Sequence, residues 1–387
     1  MLKNKIKKNF LNISHVGGRG KNNIFPITRL NKYIKYSIFE ADPDCSAHLK
    51  LLYPDYNIFT ACISDKNKVK NFYLNQDRYT SSYLKPNNKY FNYYQEIDGS
   101  DALVAESLKK EKIIKLKTYS IDNLIKSKKI EPIDFISLDT QGSEYEILKG
   151  MNKNLINQII GIKIEISFVQ VYKNSKIFAD IDKLLTKKNF FLAELNTYND
   201  KLPYSNKLKI RISKFLRGRF LPLQGEALYL LRPESLNIKK KNSYHKLKKL
   251  AFCLIAYGFT DAAFLCLSMK KINYNKNSEI DKFLHQFKKI ITDLKEETPD
   301  LWQPKKGDNY STEISNIKIS PCIKNKATRM VIRFLNKFTI IIIKTIKWFK
   351  DIKEKYKFKK YKKILNFYKN NKLEICENNL VFKIKNL

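Results

Sequence analysis

Up to about residue 230, the chain alternates short apolar segments with polar, helix-like ones, and this alternation constrains the fold more than any other feature. Segments rich in Ile, Phe and Val have the length of β-strands at residues 10–16, 34–39, 57–63, 133–138, 159–168 and 227–231. Candidate helices lie between several of them, at residues 45–52, 119–127, 143–151 and 177–188. Alternating strands and helices predict an α/β fold with a mostly parallel sheet.

The rest of the chain departs from this alternation in two places. Residues 64–117 are polar and rich in Tyr and Asn, with one further candidate strand at residues 69–74. After Pro233, residues 247–267 and 280–294 have helical periodicity without strands, which predicts a helical pair. We therefore predict four parts: a domain of residues 1–235, a helical cap of residues 236–295, a linker of residues 296–328 and a basic tail of residues 329–387.

The charge of the chain suggests a polyanionic partner, but its arginine content argues against nucleic acid. The 387 residues contain 75 Lys and Arg against 37 Asp and Glu, a net charge of +38. Only nine of the basic residues are Arg, whose planar guanidinium suits nucleic-acid recognition better than Lys does. We therefore expect no nucleic-acid partner. A compositional drift towards Lys, Asn and Ile would also explain the total.

The cysteine and histidine residues are scattered, which predicts neither disulfides nor a zinc site. The six Cys have no short spacing and are expected to be buried thiols in a reducing compartment. No apolar stretch suits a signal peptide or a spanning helix. We therefore expect a cytoplasmic location.

The first group of candidate site residues follows the first predicted strand. His15-Val16-Gly17-Gly18-Arg19-Gly20 contains glycines that permit a tight turn and close approach of a ligand to the backbone. Glu40 stands twenty residues after Gly20, at the end of the second strand. An acid there accepts hydrogen bonds from ribose hydroxyls, so the pair predicts a site for a nucleoside-containing cofactor. The alternative is a plain turn and an exposed charge.

Carboxylates at the ends of later strands form the second group of candidates. Asp139 follows a buried strand and precedes Gly142, where the carboxyl end of a strand lines the ligand crevice of an α/β sheet. The alternative for Asp139 is an N-cap of the next helix. Glu165 interrupts an apolar strand and requires a partner, for which the alternative is a structural salt bridge. We expect Asp139 and Glu165 to be neighbours that either raise one pKa or hold a divalent cation.

These stretches resemble the FkbM family of S-adenosylmethionine-dependent methyltransferases. The family pattern has an acid before Val-Gly-Ala-x-x-Gly, then Phe-Glu-Pro-x-Pro, Ile-Asp-x-x-Lys-Ile-Asp-x-Glu-Gly-x-Glu with Leu-Lys-Gly, and Glu-x-Ser-Phe. The corresponding segments here are residues 15–20, 39–43, 133–150 and 165–168. The resemblance covers residues 10 to about 232, and residues 139–150 are its most specific part.

The resemblance implies a Rossmann-like methyltransferase fold with a seven-stranded sheet, here with a helical C-terminal extension. It implies S-adenosyl-L-methionine as cofactor and methylation of a carbohydrate or glycolipid hydroxyl. The expected cofactor-binding residues are His15, Gly17, Gly18, Gly20, Glu40, Ala61 and Cys62. A sugar hydroxyl needs a base, for which we expect Asp139, with Glu165 and Glu144 as the other catalytic candidates.

Four positions depart from the family pattern. His15 stands where the family has an acid that helps hold the methionine ammonium group, and Ser137 stands where it has Lys. Ala41 replaces Pro, and Gln141 replaces the first Glu of Asp-x-Glu-Gly. The alternative function is therefore a catalytically degenerate protein with this fold, acting as a membrane-associated assembly or binding factor.

The basic tail has the pattern of an interfacial membrane helix. On a helical wheel, Val331, Phe334, Leu335 and Phe338 share one face, while Lys and Arg residues gather on the other. This predicts peripheral contact with an anionic membrane through residues 330–363. The alternative is a helix that packs on its own catalytic domain.

Overall fold

The computed structural model describes residues 10–19, 25, 31–91, 94–96, 104–197, 201–203, 222–236, 241–269, 274–275 and 278–297. Gly20, the tail and all but the first two residues of the predicted linker lie outside these ranges. The membrane contact and the four-part division therefore stay predictions. The described residues fall into two compact units, which divide between Asn273 and Tyr274.

The first unit contains twelve described strands. They are β1 (Leu11–Val16), β2 (Ile34–Glu40), β3 (Asn57–Thr60), β4 (Cys62–Ile63), β5 (Val69–Asn75), β6 (Tyr94–Glu96), β7 (Lys110–Tyr119), β8 (Phe135–Leu138), β9 (Gly161–Ser167), β10 (Phe190–Thr197), β11 (Lys201–Pro203) and β12 (Gln224–Leu231). The strands predicted from residues 1–63 and 133–231 are present. The segment 57–63 is divided, because Ala61 lies between β3 and β4.

The helices connect and cover these strands. In the first unit they are α1 (Pro43–Leu52), α2 (Asn88–Phe91), α3 (Val104–Ser107), α4 (Ile121–Lys126), α5 (Glu144–Gly150), α6 (Lys153–Ile156), α7 (Phe178–Thr186), α8 (Lys241–Ala256) and α9 (Thr260–Ser268). Short 3-10 helices occur at Asn31–Tyr33, Arg78–Thr80 and Pro233–Ser235. In the second unit, α10 spans Glu279–Glu297. None of the described helices is long and apolar enough to span a membrane.

Seven strands form one sheet in the order β10-β12-β9-β8-β1-β2-β3. Six strands share a direction and β12 runs antiparallel to both neighbours. The predicted α/β class and mostly parallel seven-stranded sheet are therefore confirmed, and the sheet is consistent with a methyltransferase fold. From β1 the chain proceeds outward to β2 and β3, and it later returns to β8 on the other side of β1. A crevice opens where the winding direction reverses in this way, at the carboxyl ends of β1 and β8.

The segment 64–117, which we call the inserted segment, contains more strand than its sequence indicated. Its β5 pairs antiparallel with β7, and β7 pairs parallel with β4, which gives a separate three-stranded sheet. Only β5 was predicted, at residues 69–74. The ten residues of β7 are mostly exposed and carry several Lys side chains, so they lack the apolar pattern of a buried strand.

Helix α8 belongs to the core of the first unit. The ring of Phe252 lies 5.5 Å from that of Phe10, and the ring of Tyr257 lies 6.0 Å from that of Phe135 in β8. At the amino end of β8, Lys249 Nζ lies 2.6 Å from Asp134 Oδ2. Helix α8 is therefore joined to the sheet by both apolar packing and an ion pair. The single helix predicted at residues 247–267 is divided into α8 and α9.

This packing predicts that α8 stabilises the sheet. Leu250 of α8 is fully buried, whereas Leu265 of α9 is 43% exposed. Leu250→Ala should lower the free energy of unfolding by about 2–5 kcal/mol, because a buried leucine leaves a cavity. Leu265→Ala is the matched control and should change it by less than about 1 kcal/mol. Urea denaturation measures both, and equal losses would contradict the assignment of α8 to the core.

Candidate functional site

A cleft lies at the carboxyl ends of the central strands, where the sheet topology predicts a crevice. One part of its lining comes from the ends of β1, β2, β3 and β8, and the other comes from the inserted segment. Its lining residues are Val16, Gly17, Arg19, Phe39, Glu40, Ala41, Asp42, Ala61, Cys62, Ile63, Phe72, Leu74, Arg78, Tyr79, Ser81, Tyr83, Asp139, Thr140, Gln141 and Ser143.

The glycine turn after β1 lies against the end of β8. Gly17 has a φ of +97°, and a Cβ there would lie 1.7 Å from the carbonyl oxygen of Asp139. The amide of Gly17 donates to Phe39 O at 3.0 Å, and the amide of Asp139 donates to Val16 O at 2.9 Å. Only glycine fits this position, because its backbone touches that of Asp139. Gly18 lies outside the cleft lining, where a Cβ would come 2.6 Å from Ile38 Cγ2.

Glu40 lies in the cleft with little exposure to solvent. Its side chain is 6% exposed, and Oε1 accepts a hydrogen bond from the amide of Asp42 at 2.8 Å. Burial raises the pKa of this carboxyl above its usual value. Asp42 caps α1 and pairs with Arg19 of the glycine turn. The carboxylate predicted to bind ribose is therefore buried at the cleft rather than exposed on the surface.

Asp139 and Glu165 are brought together by Gln141. Gln141 Nε2 donates to Asp139 Oδ1 and to Glu165 Oε2, each at 2.8 Å, and we call this contact the amide bridge. Burial raises the pKa of Glu165 well above its usual value, and the nearby Asp139 and Glu144 raise it further. The expected proximity of the two carboxylates is present, and of the two alternatives this geometry supports the raised pKa.

The structural alternatives for these carboxylates are not observed among the residues that the structure describes. The N-cap of α5 is Ser143 rather than Asp139. Among the described residues the nearby Lys163 Nζ pairs at 3.1 Å with Glu226, and no ion pair of Glu165 is seen, so the alternative of a structural salt bridge is not observed there. Both carboxylates instead hydrogen-bond to the neutral amide of Gln141.

Glu144 supports the backbone of the turn beside the cleft. Its Oε1 accepts hydrogen bonds from the amides of Thr140 at 2.7 Å and Gly142 at 3.2 Å. The side chain is buried, outside the cleft lining, and burial raises its pKa to about 7. Gln141 in this turn has a φ of +58°, which costs roughly 1–2 kcal/mol for a residue with a side chain. The position of Glu144 thus suits support of the turn better than the predicted catalysis.

His15 is a buried, uncharged residue behind the cleft. Its Nδ1 lies 3.0 Å from Ser137 Oγ, and burial lowers its pKa to about 4. Among the described residues, Nε2 has no hydrogen-bond partner. His15 and Ser137 are opposite each other in the register of β1 and β8. His15 does not line the cleft, so the structure does not place it with the other expected cofactor-binding residues.

Ala61 and Cys62 form an apolar part of the wall. The amide of Ala61 donates to Glu40 O at 2.9 Å, which joins the end of β3 to the end of β2. Cys62 is buried, and burial raises the pKa of its thiol to about 12, so the thiol is protonated at neutral pH. Both residues lie in the cleft, as expected.

The sequence did not indicate the wall contributed by the inserted segment. Phe72 and Leu74 alternate along β5 and line the cleft, which is a period-2 signal in the one predicted strand of that segment. Tyr79 is 60% exposed at the rim, with the Arg19 guanidinium 6.0 Å from its ring centre. Tyr83 packs under Lys70, whose Nζ lies 3.7 Å from the ring centre.

Among the described residues, the side chains that could ligate a metal ion do not form a metal centre. No group of three or more His, Cys, Asp or Glu side chains there is arranged to hold a metal ion.

Comparison with known proteins agrees with the resemblance found in the sequence. Residues 20–192 match the family model of the methyltransferase FkbM domain. The matched segment includes Glu40, Cys62, Asp139 and Glu165. A search of the curated proteins found no match. The predicted resemblance is thus confirmed over residues 20–192. It supports a methyltransferase and does not favour a degenerate assembly factor.

The raised pKa of Glu144 predicts a pH-dependent stability. Because its pKa rises from 4.5 to about 7 on folding, the folded state binds the proton more tightly. The contribution of Glu144 to the stability of the folded state is therefore most favourable below pH 4.5, and it is lost as the pH rises to about 7. In Glu144→Gln, the free energy of unfolding should therefore decrease with rising pH by roughly 2–3 kcal/mol less than it does in the wild-type protein. Urea denaturation between pH 4.5 and 8 measures it, and the exposed Glu106→Gln is the control. A wild-type slope in Glu144→Gln would contradict the assignment.

Proposed function

We propose that the protein is an S-adenosylmethionine-dependent O-methyltransferase with a Rossmann-like fold, acting on a hydroxyl of a carbohydrate or glycolipid. The observation that carries this proposal is the placement of Glu40 and Asp139 in one cleft within the matched region. Glu40 suits the ribose of a nucleoside, and Asp139 suits the proton of an acceptor hydroxyl.

The residues of the cleft fit the cofactor in their chemistry. The carboxylate of Glu40 accepts hydrogen bonds from two neighbouring hydroxyls of a ribose. Ala61, Cys62, Phe72 and Leu74 offer apolar surface to a flat base. When bound, S-adenosylmethionine supplies a methyl group that its positive sulfur activates for transfer.

Asp139 is the group that we assign to the acceptor. Gln141 donates to Oδ1, which leaves Oδ2 as the oxygen we assign to the acceptor hydroxyl. A hydroxyl is a weak nucleophile, and a carboxylate within hydrogen-bond distance removes its proton as the new bond forms. Most of the remaining rate enhancement comes from holding the reacting atoms in line.

The rim of the cleft supports a carbohydrate as the acceptor. The exposed ring of Tyr79 presents a flat apolar face beside the polar groups of Arg19 and Arg78. A sugar ring has both apolar C–H faces and polar hydroxyl edges, so it suits this combination.

The assignment of Glu40 is tested by cofactor binding. Glu40→Ala should weaken the binding of S-adenosylmethionine by one to two orders of magnitude, or about 1.5–3 kcal/mol, because charged hydrogen bonds are lost. Isothermal titration calorimetry measures the affinity, with Glu131→Ala as a control at an exposed carboxylate. Unchanged affinity in a folded variant would refute the role of Glu40. Absence of binding to the folded wild-type protein at sub-millimolar cofactor would refute the proposed function.

The assignment of Asp139 is tested by turnover. Asp139→Asn should lower kcat by about 10²–10⁴-fold while cofactor affinity stays nearly unchanged, because the base acts mainly on the acceptor. Transfer of labelled methyl to a panel of saccharides measures kcat. Asp182→Asn is the control, since Asp182 accepts a hydrogen bond from Tyr229 away from the cleft. Normal methylation by Asp139→Asn would assign the base to another group.

A further inference from the structure

Gln141 occupies the centre of a partly buried hydrogen-bond network at the cleft. Its Nε2 donates to the carboxylates of Asp139 and Glu165, and its Oε1 accepts from the hydroxyl of Tyr172 at 3.0 Å. Every polar atom of this side chain therefore has a partner. Gln141 also has a left-handed backbone, with a φ of +58°. A strained residue with a fully paired side chain is typical of a position held for function.

The chemistry of a primary amide suits this location. An amide carries two N–H donors, so it binds two carboxylates at once. It has no proton to lose in the accessible pH range, and its donors remain at every working pH. A carboxyl group in its place has at most one donor, and only when it is protonated. Gln141 thus gives Asp139 a hydrogen bond that does not depend on pH.

Tyr172 fixes which end of the amide faces the carboxylates. Its side chain is 1% exposed, and its single hydroxyl proton is shared between two acceptors, Thr80 O at 2.7 Å and Gln141 Oε1 at 3.0 Å. Burial raises the pKa of Tyr172 well above 10, so it remains a hydroxyl donor. Gly142 allows the ring to lie here, since a Cβ there would come 2.7 Å from the ring. Tyr172 therefore connects the inserted segment to the amide bridge.

The charged surroundings of the bridge are defined by the elements packed against it. The titratable and charged groups around it are Asp139 and Glu144 from the turn after β8, Glu165, Lys163 and Glu226 from β9 and β12, His15 from β1, Tyr172, and Asp77 from the inserted segment. Lys163 is paired with Glu226, and His15 is uncharged at neutral pH. The amide of Gln141 thus donates to both members of a carboxyl pair that also contact each other directly.

We propose that Gln141 is a positioning residue whose amide holds the Asp139 carboxylate towards the acceptor, and that Tyr172 couples this orientation to the inserted segment through Thr80. The proposal rests on the proposed function in its assignment of Asp139 to the acceptor. It gives a role in the site to Gln141, which stands where the family pattern has Glu.

The test compares Gln141→Met, Gln141→Glu and Tyr172→Phe with the wild-type protein. Gln141→Met keeps the length of the side chain and removes its donors, so kcat should fall about 10–100-fold through misplacement of Asp139. The KM for the saccharide that accepts the methyl group and the Kd for S-adenosylmethionine should change less than about threefold. Tyr172→Phe should lower kcat in the same direction, and Tyr229→Phe, which loses another buried hydroxyl, is the matched control.

The pH profile separates positioning from a merely structural role. In Gln141→Glu the donor exists only while the carboxyl cluster holds a proton, so activity should decline as the pH rises and the cluster loses that proton. The wild-type profile should lack this decline. Wild-type kcat and an unchanged profile in both Gln141 variants would overturn the proposal, as would equal losses in Tyr172→Phe and Tyr229→Phe.

A readout without activity distinguishes this inference from the proposed function. Carbon NMR titration of labelled Asp and Glu carboxyl groups follows Glu165 in the protein alone, with Glu165→Gln to assign the signal. Loss of the amide donor in Gln141→Met should raise the titration midpoint of Glu165, because the donor favours the charged form. An unchanged midpoint would refute the amide bridge whether or not the protein transfers methyl groups. A raised midpoint without cofactor binding would refute the proposed function alone.

Discussion

The close approach of the glycine turn to the end of β8 determines the geometry of the whole cleft. Gly17 lies so near the carbonyl of Asp139 that no larger residue fits. One backbone hydrogen bond joins this turn to β2, and another joins Asp139 to β1. The ends of three strands are therefore fixed relative to one another by main-chain contacts. This backbone arrangement sets the positions of Glu40 and Asp139.

Two departures from the family pattern are neighbours in space. Positions 15 and 137 are opposite each other in the register of β1 and β8. The family pattern has an acid at the first of these positions and a lysine at the second. Here His15 and Ser137 form a neutral hydrogen bond instead, so the loss of one charge accompanies the loss of the other. The substitutions thus leave no isolated buried charge between these strands.

The sequence predicted the parts of the site that depend on local pattern. The strands, the glycine turn and the carboxylates after β2 and β8 follow from periodicity and spacing, and they are present in the structure. The inserted segment was not predicted as a wall of the cleft, because β7 is mostly exposed and lacks an apolar run. The amide bridge was also missed. It joins residues 24 positions apart, and only the pairing of β8 with β9 brings them together.

The ion pair of Lys249 with Asp134 lies at the start of β8, whereas Asp139 follows its end. The attachment of α8 and the chemistry of the cleft thus occupy opposite ends of one short strand. Loops at the cleft end are free to diverge without disturbing that attachment. In the function proposed above, the inserted segment is for this reason the part of the cleft wall in which acceptor specificity would change while the scaffold is retained.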